Sequence, residues 1–230
     1  MSSSMLLIVA ADDDLTANRL AQRWADHSAV VVSPRSLSAP GWSFDPESPL
    51  SSTAVVEGRQ VSTRSIRGVL TRLPAVTERD LTHIVVPDRA YVAAEMTAFL
   101  TCWLDTLACP VLNRPSASCL SGPGWWPVQW LHAGARLGMH VTRATVSDVV
   151  PDLTAGPWVT VVGDECATDI HPRLAAQAKA LARAAEVELL SVQFSGSDSD
   201  AELLNASVWP DLEDPREADL VLARLLEADR

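Results

Sequence analysis

The feature that most constrains the fold is the opening segment, where a short apolar run leads directly into an acidic cluster. Residues 5–11 read Met-Leu-Leu-Ile-Val-Ala-Ala and are followed by three aspartates at residues 12–14. A continuous apolar run of this length is typical of a buried parallel strand. Aspartates suit the start of a helix because a carboxylate accepts hydrogen bonds from its free backbone N–H groups. Leu15, Leu20 and Trp24 follow and indicate the helix itself.

Strands and helices alternate through the rest of the N-terminal half. A long helix with one apolar face is predicted over residues 87–107. Residues 34–54 are rich in Pro, Ser and Gly and predict a loop that Trp42 and Phe44 partly pin, with a hairpin around Gly58 after it. Further strands are predicted at residues 29–33, 68–73 and 110–113. This alternation indicates an α/β fold with an open, mostly parallel, Rossmann-like sheet and helices on both faces.

The C-terminal third has a different pattern. Residues 147–157 predict a linker, and a small α+β part follows it. Its strands are predicted at residues 158–162 and 187–194, and its helices at residues 173–185 and 215–226. We therefore predict two domains, an α/β domain over residues 1–146 and a short α+β part over residues 147–230.

The charge of the chain limits its partners. The formal net charge is -11, from 18 basic and 29 acidic residues. Such a surface repels nucleic acid and anionic membranes. The first apolar run has only seven residues and no basic segment before it, which fits neither a membrane span nor a signal peptide. A cytoplasmic location is the resulting expectation.

The cysteines and histidines predict no metal centre. The four cysteines, at positions 102, 109, 119 and 166, match no zinc-binding spacing, and the five histidines form no i, i+4 pair. Neither a phosphate-binding glycine loop nor a G-x-S-x-G nucleophile elbow occurs. Cys119 with His132 is the single pair that merits a test as a nucleophile and base.

Polar residues follow three of the predicted strands. Asp12 and Asp14 follow the first, Arg72 ends the strand at residues 68–73, and Asn113 and Arg114 end the strand at residues 110–113. In open parallel sheets, ligands bind beyond the carboxyl ends of the strands, so these groups are expected to converge.

This strand-end site has two interpretations. In the first, Arg72 and Arg114 hold a carboxylate through paired hydrogen bonds while Asp12 or Asp14 takes an amine, which suits an amino acid or a peptide. In the second, the aspartates cap a helix, and the arginines pair with them or with Glu95.

A tryptophan cluster is a second candidate site. Trp125, Trp126 and Trp130 lie beside a Pro-Gly turn, at the start of a helix predicted to end before Gly138. Aromatic clusters form recognition surfaces for peptides or partner proteins. The alternative is that they anchor the turn against the core, and the same two interpretations apply to Trp209.

Four segments occur in an order that carries a resemblance. They are Arg-Gly-Val-Leu-Thr-Arg-Leu-Pro at residues 67–74, Asp-Arg-Ala-Tyr-Val-Ala-Ala-Glu at 88–95, Pro-Val-Leu-Asn-Arg-Pro at 110–115 and Gln-Trp-Leu-His-Ala-Gly-Ala-Arg-Leu-Gly at 129–138. This series resembles the pre-ATP-grasp domain of graspetide (microviridin-type) ligases and ribosomal-protein glutamate ligases. Residues 203–212 resemble the closing Glu-x-Asn-x-x-Pro segment of the same enzymes, with Asn205 at the asparagine.

Three departures from that family concern the nucleotide. Only about 40 residues separate Val141 from Leu181, where the family places most of its ATP-binding region. The sole lysine, Lys179, matches neither phosphate-binding lysine of the family. The Mg²⁺-binding carboxylate two positions before Asn205 would fall on Leu203, and Glu202 is one position away.

The resemblance and its departures together imply a truncated, degenerate ATP-grasp-like protein without the nucleotide-binding core. We expect a non-catalytic pseudoenzyme without a cofactor, which binds a peptide, a small molecule or a partner enzyme in bacterial peptide modification or natural-product biosynthesis. The alternatives are an enzyme with non-ATP chemistry at the strand-end site and a reduced ATP-dependent carboxylate-amine ligase. A third alternative is a homodimer, in which pairing of two chains restores the missing half and covers exposed apolar surface.

Overall fold

The structure is a computed structural model that describes residues 4–141 and 156–227. The strands are β1 (Met5–Val9), β2 (Ala29–Val32), β3 (Thr53–Val56), β4 (Arg59–Ser62), β5 (Ile66–Thr71), β6 (Val111–Leu112), β7 (Trp158–Val162), β8 (Glu165–Cys166), β9 (Leu189–Phe194) and β10 (Leu203–Ser207). The α-helices are α1 (Leu15–Arg23), α2 (Pro34–Leu37), α3 (Arg89–Thr106), α4 (Pro127–Arg136), α5 (Pro172–Ala184) and α6 (Pro215–Leu226).

The chain divides into two compact units. The first comprises Met1–Gly122 and Leu222–Arg230, and the second comprises Pro123–Val221. The predicted domain boundary between residues 146 and 147 lies outside the described residues. Each unit has its own hydrophobic core.

The first unit is built on the predicted parallel sheet. Its four strands lie in the order β2-β1-β5-β6, and all of its strand pairs are parallel. The central strand β1 is almost fully buried, as its continuous apolar sequence predicts. The α/β class and the mostly parallel sheet are therefore confirmed.

Helices cover both faces of this sheet. Leu7 and Val9 point into a core cluster that also contains Trp103 and Leu104 of α3. Leu6 and Ile8 alternate with them and face the other side, because successive side chains of a strand point in opposite directions. On the face of Gly68, α6 comes so close that a Cβ at this glycine would lie 2.6 Å from the carbonyl oxygen of Leu225.

Residues 34–54 and Leu15 are two places in the first unit where the structure can be compared with a local prediction. Residues 34–54 contain α2 and a 3₁₀ turn at Pro49–Ser51, and Trp42 pins the segment by edge-to-face contacts with Phe99 and Trp103 at 5.6 and 5.4 Å. Leu15, one of the residues that indicate α1 in the sequence, is 75% exposed, whereas Leu20 is buried. Its five-residue separation from Leu20 places the two about 140° apart around the helix, so they cannot share a face.

The second unit contains an antiparallel sheet with helices α4 and α5, and the division of the chain at residues 146 and 147 stays a prediction. Its sheet has the order β10-β9-β7-β8 with antiparallel neighbours. One face packs on α5, with Leu174, Ala178 and Leu181 against Val161 and Leu190. The opposite face is polar, with Thr160, Ser191, Gln193 and Ser207 at alternating positions. No helix in the described part of the chain is long and apolar enough to cross a membrane.

Candidate functional sites

The carboxyl ends of β1, β5 and β6 lie side by side, because these strands are neighbours in the sheet. The Nε of Arg72, just after β5, donates a hydrogen bond to Oδ2 of Asp14 at 2.9 Å. The Oδ1 of Asp14 accepts from the backbone N–H of Ala17 at 2.9 Å and caps α1. Each carboxylate oxygen of Asp14 thus already has a protein donor.

Asn113 and Arg114 follow β6 and have different surroundings. Asn113 is 3% exposed, and its carbonyl accepts a hydrogen bond from the hydroxyl of Thr71 at 2.9 Å. The guanidinium of Arg114 donates to four carbonyl oxygens at and just beyond the end of α3, at 3.1 to 3.3 Å; they belong to Leu104, Asp105, Leu107 and Cys109. The structure therefore places this guanidinium on the C-terminal end of a helix, where a cation is favoured.

The two remaining residues of the strand-end prediction are exposed. Asp12 lies in the turn before α1, and Glu95 lies on the surface of α3. The structure thus brings Asp14 and Arg72 into direct contact and buries Asn113 beside Thr71. Binding of an amino acid or peptide at this edge stays a prediction.

The tryptophan cluster lies at the start of α4, in the second unit. Trp130 is 3% exposed and belongs to the core, and the ring of Trp125 packs on it with centroids 4.7 Å apart. Trp126 is 74% exposed, while its backbone N–H donates to Oε1 of Gln129 at 2.8 Å. The cluster therefore combines a core anchor with an exposed aromatic side chain.

A cavity of about 800 Å³ runs along the exposed side of α4 and is called the α4 groove here. Its lining residues are Trp125, Val128, Gln129, His132, Ala133, Arg136, Leu137 and Ala184. Val128 and Leu137 are 58% and 44% exposed, so they present apolar surface to this cavity. The sequence analysis did not identify this groove. The available signal was the four-residue spacing of Val128, His132 and Arg136, which places them on one helix face.

The closing motif lies in β10, on the sheet of the second unit. Asn205 pairs in register with Gln193 of β9, and its Oδ1 accepts from the backbone N–H of Ala206 at 2.9 Å. Leu203 is fully buried in the core cluster, and Glu202 is exposed just before the strand. The position that the resemblance assigns to a metal-binding carboxylate thus carries a core side chain.

Cys119 lies in the first unit, and His132 lies in the second. Cys119 is 5% exposed, and burial raises the pKa of its thiol. His132 lies exposed on α4 and lines the α4 groove. Within residues 4–141 and 156–227, no group of three or more His, Cys, Asp or Glu side chains is arranged to hold a metal ion.

The fold of the chain is similar to that of known ATP-grasp ligases. The ligase PsnB complexed with a minimal precursor has 13% sequence identity and a TM-score of 0.69, over 96% of this chain and 99% of that one. The macrocyclase MdnC from Microcystis aeruginosa, bound with the precursor peptide MdnA, has 12% identity and a TM-score of 0.66, over 95% and 99%.

A third structure extends the comparison to a nucleotide complex. The RiPP-associated ATP-grasp ligase of Chryseobacterium gregarium, in complex with ADP and a leader and core peptide, has 11% identity and a TM-score of 0.63 over 99% of this chain and 100% of that one. No protein-family model matches the sequence, and no curated protein is similar to it in sequence. The fold of this chain is therefore ATP-grasp-like, as the four N-terminal segments predicted.

Proposed function

We propose that this chain is an ATP-grasp-fold protein that binds a peptide in the α4 groove and does not carry out Mg-ATP-dependent ligation. The observation that carries the proposal is the groove itself, which is lined by Val128 and Leu137 at 58% and 44% exposure and by Trp125. Exposed apolar patches of this kind mark sites where another molecule binds. Neighbours of the same fold have been solved with precursor peptides, which supports a peptide as the occupant.

The chemistry of the groove defines the class of peptide. Val128, Leu137 and Trp125 offer apolar contact, and Arg136 contributes a positive charge to the lining of the groove. Although the net charge of the chain is -11, the guanidinium of this arginine attracts a carboxylate locally. We therefore expect a peptide with apolar side chains and one acidic group.

Two features support the absence of ligation. Leu203, at the position of the expected metal-binding carboxylate, is buried among apolar residues. Lys179, the sole lysine, lies on α5 and is half-buried. Phosphoryl transfer needs cations placed around the transferred group, and these two positions lack the metal-binding carboxylate and the phosphate-binding lysines that the resemblance implies.

A selection from a library of random linear peptides tests the occupant. Sequences enriched on the wild-type chain should bind in solution and lose at least about tenfold in affinity to Val128→Glu, which places a charge in the groove. Val85→Glu is the matched control, because Val85 is 66% exposed on the first unit and lines no part of the groove. Absence of enrichment, or equal loss in both variants, would contradict the proposal.

Self-association is a competing explanation for the exposed apolar residues, since a second copy of the chain would also cover them. Light scattering on the wild type and on Val128→Glu separates the two cases. We expect the same monomeric mass for both variants. A wild-type dimer that Val128→Glu converts to a monomer would assign the groove to pairing.

The alternative function is a reduced ATP-dependent carboxylate-amine ligase. The observation that favours it is the similarity over nearly the full length of both chains to a ligase solved with ADP and peptide. The two functions differ in whether Mg-ATP binds. A non-ATP enzyme at the strand-end site is a further alternative; it predicts that Arg72→Ala and Arg114→Ala abolish activity in a reconstituted pathway.

A further inference from the structure

A second, smaller cavity lies on the polar face of the antiparallel sheet. Its volume is about 380 Å³, within the usual range of small-molecule sites. Trp158 of β7 and Trp209 of the segment between β10 and α6 line it and are 40% and 37% exposed. Asp211 and Glu217 also line it, so two aromatic side chains and two carboxylates share one small space.

Hydrogen bonds hold the walls of this cavity in place. The Oγ of Ser207 accepts from the backbone N–H of Trp209 at 3.1 Å and fixes the segment that carries this tryptophan. The hydroxyls of Thr160 and Ser191 lie 3.2 Å apart, and Thr160 also hydrogen-bonds to the carboxylate of Glu217. Glu217 is therefore held against the sheet at the start of α6.

Burial and two acidic neighbours oppose the charge of Glu217, while the hydrogen bond from Thr160 stabilises it. Burial raises the pKa of this carboxyl group, and the negative charges of Asp214 and Asp211 raise it further. A half-buried carboxylate with acidic neighbours would gain from a cation placed beside it. The nearby tryptophan rings attract a cation as well, through their negative faces.

We propose that this cavity binds an organic cation, an alkylammonium or guanidinium group, which lies against Trp158 and Trp209 and pairs with Glu217 and Asp211. Cation–π contact and charge-assisted hydrogen bonds provide the affinity. The net charge of -11 raises the local concentration of cations around the chain. None of these residues lines the α4 groove, so the proposal does not depend on the occupant of that groove.

Calorimetric titration with defined cations tests this site. The probes are agmatine, the peptide acetyl-Gly-Arg-Gly-amide and its citrulline counterpart, which keeps the shape of arginine without the charge. We expect the arginine peptide or agmatine to bind at least about tenfold more tightly than the citrulline peptide. Glu217→Gln should weaken binding of the cation about tenfold or more, because it removes the paired charge at nearly constant volume.

Two further variants separate the local site from the general charge of the chain. Trp209→Leu should weaken binding about threefold or more while Trp209→Phe retains most of it, since only the latter keeps an aromatic face. Asp198→Asn removes one charge from the exposed turn between β9 and β10 and should change the affinity less than about twofold.

The results either distinguish a cationic peptide side chain from a free amine as the ligand or contradict the proposed site. Binding of both cationic probes assigns a site for peptide side chains, and binding of agmatine alone assigns a site for free amines. Binding of neither, equal binding of the citrulline peptide, or equal losses in Glu217→Gln and Asp198→Asn would overturn the proposal. Circular dichroism of each variant confirms that it is folded.

Discussion

Arg72 donates a hydrogen bond from Nε to Oδ2 of Asp14 at 2.9 Å, and these side chains are only 10% and 17% exposed. The contact joins residues that follow two neighbouring strands, β5 and β1. Because Asp14 also caps α1, one carboxylate fixes the start of a helix to the end of a strand. The sequence is compatible with Asp14 and Arg72 binding either a ligand or each other. The structure places their side chains in contact.

The first prediction concerns this contact. Asp14→Ala should lower the free energy of unfolding by about 2–3 kcal/mol, because it removes the cap and leaves the charge of Arg72 largely buried. Asp14→Asn should cost less, since asparagine still caps a helix. Urea denaturation measures both, with Asp12→Ala as the matched control at an exposed aspartate, for which we expect a change within about 0.5 kcal/mol. Equal costs at both aspartates would contradict this assignment.

The second prediction concerns the end of α3. Arg114→Ala should destabilise the chain by about 1–2 kcal/mol, because carbonyl oxygens around the end of the helix lose their shared donor. Arg114→Lys should recover part of the loss, since a single ammonium cannot reach all four carbonyls. Thermal unfolding, with Arg79→Ala as the control at another exposed arginine, checks the result.

The third prediction concerns the pH dependence of stability. Burial and nearby negative charge raise the pKa of Glu217 in the folded chain above its ordinary value of 4.5. Between the ordinary pKa of a glutamate in the unfolded chain and the raised pKa of Glu217 in the folded chain, the folded state binds more protons than the unfolded state. The free energy of unfolding therefore falls as pH rises through this range. Glu217→Gln should be more stable than the wild type near pH 7, and the difference should shrink near pH 4.

Urea denaturation of both proteins across this pH range provides the measurement. An identical pH profile for the wild type and the variant would show that Glu217 titrates normally. The same substitution is expected to weaken cation binding about tenfold or more, so its effects on stability and on binding have opposite signs. A gain in stability together with a loss of binding is typical of a residue retained for function.

The fourth prediction concerns thiol reactivity. Cys102 is exposed on α3, whereas Cys119 is buried and its thiol pKa is raised by burial. The thiolate is the reactive form, so a thiol reagent at neutral pH should modify Cys102 rapidly and Cys119 only after unfolding. Mass spectrometry of the labelled peptides distinguishes the two sites. Rapid labelling of Cys119 in the folded chain would contradict the structure and reopen its assignment as a nucleophile.

The elements of the fold were largely predictable from the sequence. The apolar run of β1, its aspartate cap and the periodicity of α3 depend on residues close together in the chain, where strand and helix patterns are strongest. The boundary of β9 was less predictable. The strand starts at Leu189 and not at Val187, because Glu186 has a positive φ of 55° in the turn after α5.

The sites were less predictable because they depend on contacts between distant residues. The position of Arg72 after a strand indicated its proximity to Asp14, but nothing local to Arg114 indicated that its side chain would lie on the end of α3. Trp158 and Glu217 belong to separate elements, and only the packing of α6 near β7 brings them to one cavity. Side-chain direction and tertiary packing, rather than sequence pattern, decide such contacts.

We propose that an ATP-grasp-like fold serves here for binding without Mg-ATP-dependent ligation. Isothermal titration of the folded chain with Mg-ATP tests it most directly, with and without a peptide selected on the α4 groove. We predict no saturable heat from the nucleotide in either case, and saturable heat from the peptide that Val128→Glu removes. Micromolar binding of Mg-ATP would contradict the account and favour the reduced ligase.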